Sequence, residues 1–441
     1  MVEPLLRLKE KLLSNRIDVT IVGGGMFVND VVLPTVYQLQ RTGMIGRMDI
    51  CARHSATLKS LSESREMLEA FPGQSFTPHP SFEESPENYY PELYKEVIAS
   101  MPPRQAVVVV LPDHLHFEAV MWALRHDQHV LCVKPLVLEY RQAVEIEREA
   151  KERGLFVGVE YHKRFDRRSL VARRQYRLGL FGEFAIGEAK MIEPYFYRFS
   201  NFQNWFTTDV TDPFVYVGCH YVDLVYFITG LRPVEVSVQG VKGRFPNGKV
   251  GYLWANGRVR YENGALLTVT DGLGYPDDGS GSNEQCLTMF CEGDGRTGLI
   301  KHDDQFRGVT HCYLDPIGCG GSRHNYVSPD FFRYVEWEGA GYKPIGYGVK
   351  SVGSILAAIH RIENETAGMD TEAATVRRRE IAAEISDHEL IATPSNSWIN
   401  ELVIEAARMS ILSDGDPVRI SYEDFPRVEP GHAQTRHLDT P

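Results

Sequence analysis

A β-branched run that stops at three consecutive glycines restricts this chain more than any other feature. Residues 17–23 read IDVTIVG, the composition of a buried strand, and GGMFV follows directly. Taken as G-x-G-x-x-V, the run uses Gly23 for the tight turn and Gly25 for close approach of main-chain N–H groups to a pyrophosphate. Val28 stands where Gly or Ala is usual, and Met26 and Phe27 lie in the same turn as candidate contacts. Glycines after a strand also punctuate ordinary turns, so the motif takes its meaning from what comes next. Strand-like segments recur at Met48–Ala52, Ala106–Leu111, His129–Val133 and Leu155–Val159. Helical spacing separates them at Leu58–Phe71, Phe117–His126 and Glu139–Arg153, the last stopping at Gly154. Strands of unbroken hydrophobicity alternating with helices predict a parallel sheet covered on both faces. Residues 1–160 are therefore expected to form an α/β, doubly wound, dinucleotide-binding domain, with a further helix at Leu5–Leu13.

At 441 residues the chain exceeds one ordinary domain. From Phe181 the pattern becomes alternating, as in FAIGEAKMI, VEVSVQGV and GRVRYENGALLTVTDG, with Gly, Asn and Asp at the breaks. The expectation for 161–428 is an α+β domain with a large, mostly antiparallel sheet open on one face, and helices at Cys219–Thr229 and Trp398–Leu412. Residues 429–441 are expected to be a tail. A net charge of −12 disfavours nucleic acid and anionic membranes as partners. No stretch approaches ~18 consecutive apolar residues, and the first residues mix charge with leucine, which predicts a soluble, cytoplasmic protein. Seven cysteines, an odd number without a C-x-x-C pair, read as reduced, packed thiols, and no metal site is expected.

The second strand runs into Cys51-Ala52-Arg53-His54-Ser55, with no acid where a carboxylate normally meets the adenosine ribose. Arg53 and His54 instead suit a 2′-phosphate, which favours NADP over NAD; the alternative is that Arg53 stacks on adenine or faces solvent. Near the later strand ends stand Leu111, Pro112, Asp113 and His116, then His129, Val130, Lys134 and Pro135. Together with the glycine turn, GCHYVDLVYFITG (218–230) and ELVIEAARMSILSDGDPVRI (401–420), these residues resemble the glucose-fructose oxidoreductase / inositol dehydrogenase / MocA (Gfo/Idh/MocA) family over nearly the whole chain.

The resemblance implies a Rossmann domain followed by an open-faced sheet domain, and an NAD(P)-dependent dehydrogenase of a sugar, cyclitol or related polyol. NADP or NAD would be held by Gly23, Gly25, Met26, Phe27, Arg53, Leu111, Pro112, His116, Lys134 and Pro135. Lys134 and His220 match the catalytic positions: an ammonium stabilises alkoxide character, and an imidazole takes the hydroxyl proton at neutral pH. Two departures alter the pattern, Val133 for a Glu before the lysine and Tyr216 for an Asp four residues before His220. Either Tyr216, as a third catalytic group, or Asp212 is expected to take over the missing role, and His162, Arg164, Asp212 and His220 are expected to bind substrate.

Two other readings accompany the dehydrogenase: an NAD-dependent glycosidase or lyase that oxidises its sugar transiently, and a sugar sensor without turnover. HDDQFRG (302–308) is given no metal, since His302, Asp303 and Asp304 as consecutive residues cannot all face one site in an extended strand, and GSRHNYVSPDFFRY (321–334), with His324, Asn325 and Tyr326, reads either as a loop over the cleft or as a plain surface loop. Added length at 72–103 and 277–343 is where specificity loops or an oligomer contact are expected, and the open sheet predicts a homodimer or homotetramer.

Overall fold

The computed structural model describes residues 16–278, 283–293, 296–303, 310–314, 322–326 and 330–431. The expected helix at Leu5–Leu13 and most of the expected tail lie outside them. Two compact units emerge, one from the described residues within Met1–Arg174 and Asp304–Trp398, the other from those within Gln175–Asp303 and Ile399–Pro441. A single junction near residue 160 was the expectation; the chain in fact returns to the first unit after the second has begun.

The first unit is built on six parallel strands, β1 (Ile17–Val22), β2 (Ile45–Cys51), β3 (Thr77–His79), β4 (Ala106–Val109), β5 (His129–Val133) and β6 (Val157–Glu160). Their order is β3-β2-β1-β4-β5-β6, so the direction of winding reverses between β1 and β4. In β1 both side-chain phases are buried, Val19 and Ile21 on one and Thr20 and Val22 on the other, which is why apolar residues do not simply alternate with polar ones along it. The expected helix over 58–71 is two, Ser55–Ser62 and Arg65–Ala70, because the Ser64 side chain accepts a hydrogen bond from Met67 N and starts a new helix.

The second unit holds β7 (Glu183–Pro194), β8 (Pro233–Arg244), β9 (Val250–Tyr261), β10 (Leu266–Tyr275), β11 (Glu284–Gly293) and β12 (Arg296–Asp303). Two small hairpins follow in the first unit, β13 (Thr310–Leu314) with β14 (Ser322–Tyr326) and β15 (Arg333–Val335) with β16 (Lys343–Ile345), so His324, Asn325 and Tyr326 are strand rather than loop. β17 (Val418–Ser421) and β18 (Arg427–Pro430) complete the second sheet, and the strand runs through the expected start of the tail at Glu429. That sheet has the order β12-β11-β7-β10-β9-β8-β17-β18, antiparallel throughout except for β7 beside β10.

The helices Cys219–Thr229 and Ile399–Leu412 belong to this unit, pinned to each other by Asn400 Nδ2 donating to Asp223 Oδ1 at 2.8 Å. On the opposite phase of the strands, Leu299, Phe290, Ile186 and Leu266 are register partners across β12, β11, β7 and β10. Three of them are more than half exposed: Leu299 at 53%, Phe290 at 52% and Ile186 at 54%. No helix among the described residues is long and apolar enough to cross a membrane.

The segment returning to the first unit contributes the helix Tyr347–Thr366, whose Glu363 receives a hydrogen bond from the buried His129 on β5, Nε2 to Oε1 at 2.9 Å. Burial pushes the Glu363 carboxyl up, but the His129 hydrogen bond and the charges of Arg104 and Arg378 outweigh it and hold the group below the usual carboxylate range. A carboxyl depressed in the folded state stabilises above its unfolded pKa and loses that contribution as pH falls through the folded one. Glu363→Ala is therefore expected to lower stability at pH 7 by about 2 kcal/mol in urea unfolding, and the gap from wild type to narrow below roughly pH 4.

Candidate active site

The reversal of strand order places the ends of β1 and β4 side by side, the position where an open α/β sheet leaves a crevice for ligand. At the end of β1, Gly23 has φ +124° and donates its N–H to Cys51 O at 2.8 Å. A Cβ there would lie 2.0 Å from Val110 O, so both the backbone angle and the neighbouring strand require glycine. At Gly25 a Cβ would meet nothing within 4 Å, which leaves the main chain open to an approaching group. The chain then enters a helical turn, Val28–Val32, that continues as the helix Leu33–Arg41. Open main chain at the entry to a helix is the arrangement that accepts a pyrophosphate, so these residues fit a dinucleotide. Val28, in the departing position of the motif, is fully buried and serves packing.

Arg53 and His54 follow β2, and a loop from the added segment 72–103 folds onto them. Tyr90 N donates to Arg53 O at 2.9 Å, His54 Nδ1 meets Asn88 O at 3.0 Å, and the Tyr89 ring lies 5.3 Å from the His54 ring. The Arg53 guanidinium stands 5.8 Å from the Tyr89 centroid and is exposed. Tyr89 was not foreseen, since a lone tyrosine in a polar loop carries no motif.

Lys134 leaves the end of β5, half-buried, with Leu111 and Pro112 at the end of the neighbouring β4. Pro135 is buried behind it. His116, expected to touch cofactor, is instead fully buried: Nδ1 lies 2.7 Å from Pro135 O and Nε2 2.8 Å from Leu111 O. It sits between the main chains that follow β4 and β5 and ties them together.

His162 is bonded through Nδ1 to the buried Glu160 at 3.1 Å, and its ring stacks 6.5 Å from Phe27 of the glycine turn and 5.6 Å from Tyr347. Arg164, expected to bind substrate, is a strut: 1% exposed, it donates to Glu389 O at 3.0 Å and Asn396 Oδ1 at 3.2 Å. The difference has a simple cause, because the short helix His162–Phe165 turns Arg164 inward against the segment 389–396.

In the second unit His220 is the second residue of the helix Cys219–Thr229 and is 2% exposed. Asp212, expected to bind substrate or replace the missing Asp, is buried in a salt bridge to Arg408, Oδ2 to Nη1 at 2.8 Å, while its Oδ1 accepts from Val215 N at 3.1 Å. It caps and anchors the helix entry rather than facing ligand. Tyr216 packs edge-on against Phe202 at 5.1 Å, Phe206 at 5.6 Å and Trp205 at 5.8 Å.

The carboxylate brought to the helix entry is one that spacing did not select. Asp271 on β10 is fully buried, and its Oδ2 would lie 2.5 Å from a Cβ at position 218, two residues before His220, so glycine alone allows strand and helix to meet there. Its signal was in the alternation of LLTVTDGL: Leu267, Val269 and Leu273 share the buried phase, and Asp271 falls on the same phase. Buried carboxylates on an apolar phase are costly unless partnered.

Residues 17–161 match the family described as "Oxidoreductase family, NAD-binding Rossmann fold" (GFO_IDH_MocA). Among curated proteins, the chain is 27% identical over 134 residues to D-glucoside 3-dehydrogenase of Escherichia coli, covering 29% of this chain and 37% of that one. It is 26% identical over 146 residues to 2,7-anhydro-N-acetylneuraminate hydratase of Mediterraneibacter gnavus, covering 31% of this chain and 36% of that one. The matched stretches thus span little more than a third of these curated relatives' length. Among solved structures, scyllo-inositol dehydrogenase from Lactobacillus casei with bound NAD(H) and scyllo-inositol aligns at a TM-score of 0.56 and 14% identity, covering 92% of this chain and 99% of that one. At that identity the likeness is one of fold.

Proposed function

We propose, from the premise that its nucleotide-binding domain is that of a Gfo/Idh/MocA oxidoreductase, that this protein is an NAD(P)-dependent dehydrogenase of a secondary alcohol in a sugar, cyclitol or sugar derivative. The observation that carries this reading is the grouping at the strand ends: an open glycine turn after β1 and, two strands away in the same sheet, a lysine leaving β5. When bound, the nicotinamide supplies the hydride acceptor. Lys134 steadies negative charge on the reacting oxygen, and His220 takes the hydroxyl proton. The test is absorbance at 340 nm while the protein meets a panel of sugars, cyclitols and sugar acids with NAD or NADP. A rise with one polyol supports the reading; no rise with any, in protein that binds the dinucleotide, removes it.

NADP is the favoured form, because Arg53 presents an exposed guanidinium and no carboxylate stands in its place. Arg53→Ala is expected to weaken NADPH binding by ~10-fold or more and NADH binding by less than about threefold in fluorescence titration. Equal losses would remove the preference.

A second reading is motivated by the hydratase among the relatives: a reaction with no net change in nucleotide redox state. Substrate consumption without any lasting change at 340 nm, in protein that retains nucleotide on purification, would select it.

The exposed row Leu299–Phe290–Ile186 supports a homodimer in which a second copy covers the sheet. The double variant Ile186→Glu, Phe290→Glu is expected to elute as a folded monomer in size exclusion with light scattering at micromolar concentration. A wild type that is itself monomeric there would contradict the assignment.

A further inference from the structure

We propose that His116 donates from both ring nitrogens to main-chain carbonyls and acts as a positioning residue for Lys134. Its role in setting Lys134 rests on the dehydrogenase reading above, whereas its double donation stands on geometry alone. Both ring nitrogens face main-chain carbonyls, Nδ1 toward Pro135 O at 2.7 Å and Nε2 toward Leu111 O at 2.8 Å. A carbonyl oxygen only accepts, so each nitrogen must carry a proton. A neutral tautomer would set a nitrogen lone pair against a carbonyl lone pair at one of the two contacts, at a residue that is 0% exposed.

His129 in the same unit shows the opposite case. Its Nδ1 accepts from Phe156 N at 2.9 Å and its Nε2 donates to Glu363, so one nitrogen keeps its lone pair. The two histidines are both completely buried, and only their partners tell their states apart.

The two carbonyls that His116 holds belong to the residues that shape the crevice. Leu111 follows β4, and Pro135 directly follows Lys134 at the end of β5. Those strands are neighbours in the sheet, but their pairing stops at Val109 with Cys132. Beyond that point the main chains are no longer tied by the ladder, and His116 supplies the bridge. Asp113, also buried, stands three residues earlier, at the start of the short helix that leads into the one carrying His116. The two bonds fix the lysine's backbone without using its side chain.

The first experiment reads the wild type directly. Protein labelled with 15N in histidine rings is examined at about pH 7.5, where the resonances distinguish a nitrogen bearing a proton from one bearing a lone pair. His116, assigned through His116→Gln, is expected to show two protonated nitrogens, and His129 one. A lone-pair nitrogen on His116 would overturn the double donation. The second experiment measures reduced-dinucleotide binding by fluorescence, thermal unfolding and steady-state kinetics for His116→Gln and His116→Ala. Glutamine keeps a two-proton donor and is expected to fold and bind within about fivefold of wild type, with turnover lowered by ~10-fold or more at little changed KM; alanine is expected to lose more in turnover than glutamine does. Full turnover in both variants would overturn the positioning role. A wild type that binds no dinucleotide would instead sink the dehydrogenase reading, and the ring-nitrogen measurement would still decide the double donation.

Discussion

Replacing Lys134 or His220 with alanine is expected to lower turnover by ~10²–10⁴-fold while dinucleotide affinity stays within about threefold of wild type. The size follows from what each group is asked to do. An ammonium beside an oxygen that gains negative charge contributes more to the transition state than to the ground state. General-base assistance by an imidazole is of similar order. Lys134→Arg is expected to recover little, because a forked guanidinium does not reproduce a point charge at a strand end. Stopped-flow single turnovers separate the chemical step from binding. Full activity in His220→Ala would remove it as the base and turn attention to Tyr216, one helical turn earlier.

Gly23→Ala is expected to cost about 3 kcal/mol or more in urea unfolding and to reduce dinucleotide binding by ~30-fold or more. Two independent penalties act at this position. The backbone angle, φ +124°, is one that an L side chain rarely adopts, and the new Cβ would fall 2.0 Å from the carbonyl oxygen of Val110 on the next strand end. Neither can be relieved without moving β1 from β4, which are paired in register from Val19 with Ala106 to Val22 with Val109. Gly25→Ala provides the contrast. Its Cβ would touch nothing within 4 Å, so stability is expected to change by less than about 1 kcal/mol while binding falls by ~10-fold, because the added methyl occupies space that a pyrophosphate needs. A Gly25→Ala protein that binds as wild type would mean the turn is not the cradle.

The nucleotide-binding architecture was legible because its signals are local. IDVTIVG must be buried on both faces, three glycines must turn, and strand and helix periods then alternate at short spacing. The position of Lys134 was legible for the same reason, since a charged residue that follows an apolar strand and precedes a proline stands at the strand's end wherever the strand goes. His220 could be placed on its helix but not among its neighbours.

What the linear order could not supply was partnership. Asp212 lies eight residues before His220 and looked available, yet Arg408, far along the chain, takes its carboxylate. Arg164 looked like a cleft residue until Glu389 and Asn396 closed over it. Asp271, about fifty residues from His220, arrives at the helix entry only because β10 crosses there.

The sequence by itself determined where the chain turns, which strands are parallel, and which residue types stand at their ends, because those follow from propensity and periodicity over a few residues. The tertiary structure alone decided which of those polar groups are spent on one another and which still face outward. A buried carboxylate or imidazole takes its character from whatever donor or acceptor folding sets beside it, and no local pattern encodes that neighbour.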